Sequence, residues 1–150
     1  MKILIGLDSS KHSDAALEFV RKTSWPAGTK AILVSAVRPQ VAAYAEIYVP
    51  AVVELEEAEQ ERMKFHQELV SRAEQTLRDV GLRTEARVLR GDPREALVDT
   101  ARSEQVDLVV VGSHGRTGLS KLVMGSVASH VVAHAPCNVL VVKLPERPTR

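Results

Sequence analysis

The sequence contains one cysteine, Cys137, in 150 residues, so neither an internal disulfide nor a cysteine-based zinc site can form. It has almost no net charge, since 20 basic and 19 acidic residues leave +1. That balance removes the general electrostatic argument for nucleic acid or an anionic membrane as partner. Any phosphate binding has to be local. No apolar run approaches the ~20 residues that cross a bilayer. The apolar start Ile3-Leu4-Ile5 is too short for a signal peptide, and no small-residue cleavage site follows it. A cytoplasmic protein is the expectation, in a reducing compartment consistent with its lone thiol. With 45% hydrophobic and 26% charged residues, the chain reads as one globular domain over residues 1–150, long enough to bury a sizeable core.

Five short apolar runs punctuate it: Ile3 to Leu7, Ala31 to Val37, Thr84 to Leu89, Leu108 to Val111 and Val139 to Val142. Four are nearly continuous Val, Ile and Leu, as in strands covered on both faces of a parallel sheet. The third alternates polar and apolar residues, which suits a partly wet strand at a sheet edge. Helical patterns lie between the runs. Ala16, Phe19, Val20 and Thr23 share one face, and the longest segment, roughly Ala51 to Val80, carries Met63, His66, Val70, Ala73, Leu77 and Val80 on one stripe. Gly81 is placed to end that helix, and Asp92-Pro93 to start the next as cap and first residue. The acidic stretch Glu54 to Glu61 reads as a solvated face or protrusion. Arg38 to Pro50 is the one long irregular connection, and the tail from Leu144 to Arg150 is expected to fray. Strands alternating with helices predict an α/β fold, a parallel sheet wrapped by helices through right-handed crossovers.

In such sheets ligands sit beyond the carboxyl ends of the strands, where the strand order reverses. Three loops qualify: Asp8-Ser9-Ser10, Val37-Arg38-Pro39, and the glycine-rich segment from Gly112 to Ser126. In the last, Gly112 and Gly115 let the backbone turn and bring its N–H groups near a ligand. Gly125-Ser126 opens a helix, whose unpaired N–H groups and dipole favour an anion. The Ser126 hydroxyl can cap that helix or donate to a phosphate, and Arg116 adds a charge. Glycines here also suit tight turns alone. The segment is not a Walker A loop, because Gly-Lys-Ser/Thr is missing at the required spacing, and it does not follow the first strand as the dinucleotide fingerprint does.

Gly112-x2-Gly115-x9-Gly125-Ser126 resembles the Gly-x2-Gly-x9-Gly-(Ser/Thr) motif of the ATP-binding branch of the universal stress protein family. The flanks Val109 to Arg116 and Pro136 to Val142 resemble the family's too, as does the opening Ile3 to Ser10; the divergent part is about Gln40 to Arg72. The resemblance implies a three-layer, open, twisted, Rossmann-like sheet of five parallel strands in the order 3-2-1-4-5, with helices on both faces. It implies ATP, with Mg or Mn, adenine near Leu7 and Val37, and ribose or phosphate near Asp8. It places Gly112 and Ser113 among the nucleotide-binding residues, and the phosphates on Gly115, Arg116, Gly125, Ser126 and Val127. It further implies a homodimer through the last strand, Asn138 to Val142. Family members often carry His-Val after the second strand; Ala36-Val37 stands here, and Val37 keeps the matching contact. The function implied is a nucleotide-responsive regulatory module in stress response. A slow ATP hydrolase and a ligand-free dimeric scaffold are the alternatives. No general base and no arginine finger beyond Arg116 stand out.

Other residues fit plainer roles. Asp8 suits a ribose hydroxyl or a magnesium ion, or else caps the helix beginning near Ser10. His114 suits loop-bracing better than catalysis. His130 and His134 have the i, i+4 spacing of zinc ligands, but no glutamate of a zincin motif lies between them. Cys137 reads as inert core, and Trp25 and Pro26 as closing the first helix over the core edge.

Overall fold

The computed structural model describes residues 1–39, 49–116 and 123–144. The predicted irregular connection around Tyr44 and Tyr48, Gly118 with the middle of the glycine segment, and most of the expected frayed tail lie outside the described residues. Strand β1 (Lys2–Gly6) leads to helix α1 (Lys11–Lys22), then β2 (Lys30–Val37), α2 (Val49–Arg78), β3 (Arg83–Arg90), α3 (Pro93–Ser103), β4 (Leu108–Gly112), α4 (Ser126–His134) and β5 (Asn138–Val142). All strand pairs are parallel, and the order is β3-β2-β1-β4-β5. Each predicted run is a strand, and β3 is indeed an edge.

Alternate residues of each strand point to opposite faces, and two cores result. Ile3, Ile5, Leu33 and Val110 meet Ala16 and Val20 of α1 and Val70, Ala73 and Leu77 of α2. Leu4, Ile32, Val34, Val109 and Val111 meet Leu97, Val98 and Ala101 of α3 and Ala128 and Val131 of α4. The sheet is therefore the middle of three layers, covered on both faces as its Val/Ile/Leu runs require.

Two helical faces differ from expectation. On α1 the buried stripe is Ser13, Ala16 and Val20, whereas Phe19 is 41% exposed; the same spacing fits a stripe rotated by one position, and Leu17 packs inward instead. Val80 is also exposed, because α2 stops at Arg78. There the Leu82 N–H donates to the Leu77 carbonyl at 3.1 Å and the Gly81 N–H to Arg78 at 2.9 Å, with Gly81 at φ +85°, the left-handed stop that glycine permits. The start of α2 lies earlier than expected and takes in Val49 and Pro50, proline being tolerated in a first turn. As expected, Asp92 caps α3, accepting from the Arg94 N–H at 2.9 Å with Pro93 behind it. Trp25 closes α1 by donating Nε1–H to the Val20 carbonyl at 2.8 Å.

Candidate functional site

The strand order reverses between β1 and β4, and beyond their carboxyl ends lies a cavity of about 880 Å³. It is lined by residues from three of the predicted regions: Leu7 and Asp8 after β1, Val37 at the end of β2, and Gly112, Gly115, Arg116, Gly125, Ser126 and Val127 of the glycine segment. Val34, Ala36 and Val37 of β2 and Pro93 and Leu97 of α3 supply an apolar wall. Four of these, Leu7, Val34, Val37 and Leu97, are no more than 6% exposed. Such a wall accepts a flat heterocycle and leaves polar contacts to the rim.

Helix α4 offers the anion-seeking end. Its N-cap is Gly125, which makes no side-chain cap bond, and the first helical hydrogen bond runs from Ser129 N–H to the Gly125 carbonyl at 2.9 Å. The N–H groups of Ser126, Val127 and Ala128 are thus the orphan donors of the first turn, and all three residues face the cavity. Ser126 does not cap its own helix, which corrects one of its two expected uses and leaves its hydroxyl for a ligand.

Ser113 is the predicted site residue that the structure places elsewhere. It is buried and outside the cavity lining, and it acts as a knot. Its Oγ lies 3.1 Å from His12 Nδ1 and 3.0 Å from His114 Nδ1, and its single proton serves one ring while the other ring donates to it. Its N–H donates to the Val142 carbonyl at 2.8 Å, and its carbonyl accepts from Gly125 N–H at 2.8 Å. His114 Nε2 bonds the Val123 carbonyl, and its ring packs beside His12 at 4.9 Å between centroids. His114 thus braces the loop as expected.

The glycines work by absence of bulk rather than by unusual dihedrals, since neither Gly112, Gly115 nor Gly125 has positive φ. A Cβ on Gly112 would stand 2.5 Å from the backbone carbonyl carbon of His12. Helix α1 rests directly on this residue, so Gly112 has a packing role in addition to its place on the cavity wall. Among the described residues a Cβ on Gly115 would meet only Asp8 Oδ2, at 3.2 Å, while one on Gly125 would press on His114 Cα at 3.1 Å and Ser113 O at 3.2 Å.

Asp8 is not the helix cap; Ser10 is, accepting from Ser13 N–H at 3.1 Å. Asp8 Oδ1 accepts the Ser10 N–H at 2.8 Å, which leaves Oδ2 turned to Gly115. His130 and His134 stack at 4.1 Å, with Glu95 3.2 Å from His130 Nε2. Among the described residues no group of three or more His, Cys, Asp or Glu side chains is placed to hold a metal. Cys137 packs partly buried against the second core, and burial pushes its thiol pKa up.

Sequence reasoning missed the contribution of α2. Arg62, Phe65 and His66 line the cavity. His66 Nδ1 is 2.7 Å from Ser35 Oγ, whose own proton goes to the Leu7 carbonyl at 2.7 Å. The proton on that imidazole therefore sits on Nδ1, and Nε2 keeps a lone pair. Burial, then the charges of Arg116 and Arg62, push the His66 pKa down against the pull of Asp8, so the ring is neutral at pH 7. Arg62 and His66 stand four residues apart, one turn of helix; a histidine interrupting an apolar stripe was the available signal.

Fold and cavity together define an α/β domain with a crevice at its switch point. A model of the Universal stress protein family matches residues 1–143, and the chain belongs to that family. It is 33% identical over 144 residues to universal stress protein MJ0531 of Methanocaldococcus jannaschii, covering 95% of this chain and 78% of that one. The solved structure of MJ0577 superimposes with a TM-score of 0.84 at 27% identity, over 97% of both chains; MJ0577 is a universal stress protein of the same organism. The universal stress protein of Archaeoglobus fulgidus, solved in complex with dAMP, superimposes with a TM-score of 0.63 at 22% identity, over 95% of this chain and 98% of that one.

Proposed function

We propose that the chain binds ATP in the switch-point cavity and acts as a nucleotide-responsive regulatory module in stress response. The observation that carries this reading is the set of orphan N–H donors of α4 opening, with Arg116, into a cavity whose opposite wall is apolar. An anion at the helix end and a heterocycle against Val37 and Leu97 use both. The dAMP complex of the Archaeoglobus fulgidus relative supports an adenine nucleotide as the ligand class. Adenine lies near Leu7 and Val37, ribose near Asp8, and the phosphates on Gly115, Arg116, Gly125, Ser126 and Val127. A magnesium or manganese ion would arrive with the phosphates and take Asp8 as its carboxylate. One carboxylate plus phosphate oxygens and waters is an ordinary set for Mg²⁺.

The homodimer belongs to the same reading. Among the described residues β5 pairs only with β4, and its outer edge along Asn138 to Val142 is a template for a second copy. A cytoplasmic location and the absence of nucleic-acid and membrane partners complete it. Thermal unfolding tests the ligand. At about 100 times its dissociation constant, ATP with magnesium adds ~2.7 kcal/mol, or roughly 5–10 °C for a domain of this size. No shift at millimolar ATP refutes binding. Slow hydrolysis is a second reading favoured by one observation, the neutral imidazole of His66 at the cavity; phosphate release over hours, compared with His66→Gln, decides it.

A further inference from the structure

Arg62 is out of keeping with its surroundings. Its Nε and Nη2 are sealed from solvent, and among the described residues they find no hydrogen-bond acceptor and no carboxylate pairs with the side chain. Arg87, by contrast, is bound by Glu85 and Glu104, and Arg94 by Asp92. Two guanidinium nitrogens sealed without a partner are costly even on a half-buried side chain, and such costs are kept where they serve a site. The side chain lines the cavity one helical turn before His66. A second guanidinium, Arg116, lies close enough that both press on the same imidazole, with Asp8 as the opposing charge. Glu61 also lines the cavity but is exposed to water, and Arg38 is drawn to Asp92 at 3.4 Å. Helix α2 covers one face of the sheet and α4 the other, so Arg62 and the α4 N-terminus approach the cavity from opposite layers.

We infer that Arg62 is a ligand-binding residue: its fork takes a phosphate group of the nucleotide from the α2 side, completing a clamp whose other jaw is Arg116 and the first turn of α4. The inference rests on the nucleotide reading above. It makes α2, the divergent part of the sequence, a determinant of how strongly phosphate is weighed against the base. Arg62 lines the cavity, and a small turn of its side chain brings Nε and Nη2 out to a phosphate oxygen there.

Calorimetric titration of adenosine, AMP and ATP with magnesium into wild type, Arg62→Gln and Arg62→Lys, with melting of each ligand-free protein, tests it. Hydrogen bonds to a charged group predict ATP affinity ~10- to 100-fold lower in Arg62→Gln. Adenosine affinity should be unchanged, Arg62→Lys should fall between, and the ligand-free melting temperature should be equal or higher than wild type. ATP affinity unchanged in Arg62→Gln overturns the inference. So does an equal loss for adenosine, or a ligand-free protein that melts lower or fails to fold, each of which marks Arg62 as a wall of the fold. Wild type that binds none of the three sinks the nucleotide reading, and this inference with it. Failure with wild-type binding intact touches Arg62 alone.

Discussion

Replacing Gly112 and Gly115 by alanine, one at a time, separates two jobs that the glycine motif combines. At Gly112 the added Cβ would lie 2.5, 2.6 and 2.8 Å from the carbonyl carbon, oxygen and Cβ of His12. Carbon atoms pack at about 3.5–4.0 Å, so α1 has to lift by roughly 1 Å. Helix α1 cannot lift freely, because Ala16 and Val20 are fully buried under it and His12 is tied to Ser113. Overpacking of this kind costs about 1–3 kcal/mol, occasionally more. For a domain this size, that is a drop of roughly 2–12 °C in melting temperature. At Gly115 the new methyl meets a single carboxylate oxygen at 3.2 Å, which a small rotation of Asp8 relieves. Gly115→Ala should therefore melt within a degree or two of wild type and lose most of the ATP-induced shift, since its Cβ enters the cavity beside Asp8. Thermal unfolding monitored by far-UV circular dichroism, with and without ATP and magnesium, reads both effects. A Gly112→Ala protein as stable as wild type would show that the close approach of α1 is not a constraint. A Gly115→Ala protein as destabilised as Gly112→Ala would show that both glycines serve packing alone.

Three further outcomes are expected. His66 is held neutral in the folded chain, so the unfolded chain takes up its proton more readily. Its contribution to stability is complete above its ordinary value near 6.5 and is lost progressively as the pH falls below it; urea denaturation from pH 7.5 to 5 should show that decline, and His66→Gln should flatten it. Leu77, fully buried in the core beneath α2, should cost about 2–5 kcal/mol as Leu77→Ala, read from the urea midpoint. Asp92→Ala removes the α3 cap and should cost about 0.5–2 kcal/mol at neutral pH. Because Arg94 holds the Asp92 carboxyl well below the usual carboxylate range, that loss should persist in mild acid, which a denaturation series down to pH 4 checks.

The strands were legible because burial on both faces demands unbroken Val, Ile and Leu, and the edge position of β3 because half-burial demands alternation. Helix faces were less so. Phe19 and Leu17 lie only two positions apart on α1, and apolar spacing alone does not say which of them turns inward; the sheet beneath decides. Asp92, Pro93 and Gly81 were readable because their roles depend on local backbone chemistry. In the site, the glycine segment was legible from its composition, while Ser113, expected among the nucleotide-binding residues, lies buried outside the cavity lining and knots the loop. Arg62 and His66 were not found, because they reach the cavity from a helix distant in sequence, and only the packing of α2 over β2 brings them there. His66 sits on the core stripe of α2, and in part it is core: Nδ1 bonds Ser35 of the sheet, while the residue also lines the cavity.

The bond from the Ser113 N–H to the Val142 carbonyl continues the hydrogen-bonding of β4 and β5 past the end of the sheet and into the glycine loop. Ser113, fastened in this way to β5 and to Gly125, borrows the stiffness of two strands. On the nucleotide reading, the N–H groups at the start of α4 are aimed before a ligand arrives, so that end of the site has little conformational freedom left to lose on binding. Such a site would shift the ordering cost of recognition from the moment of encounter to the moment of folding.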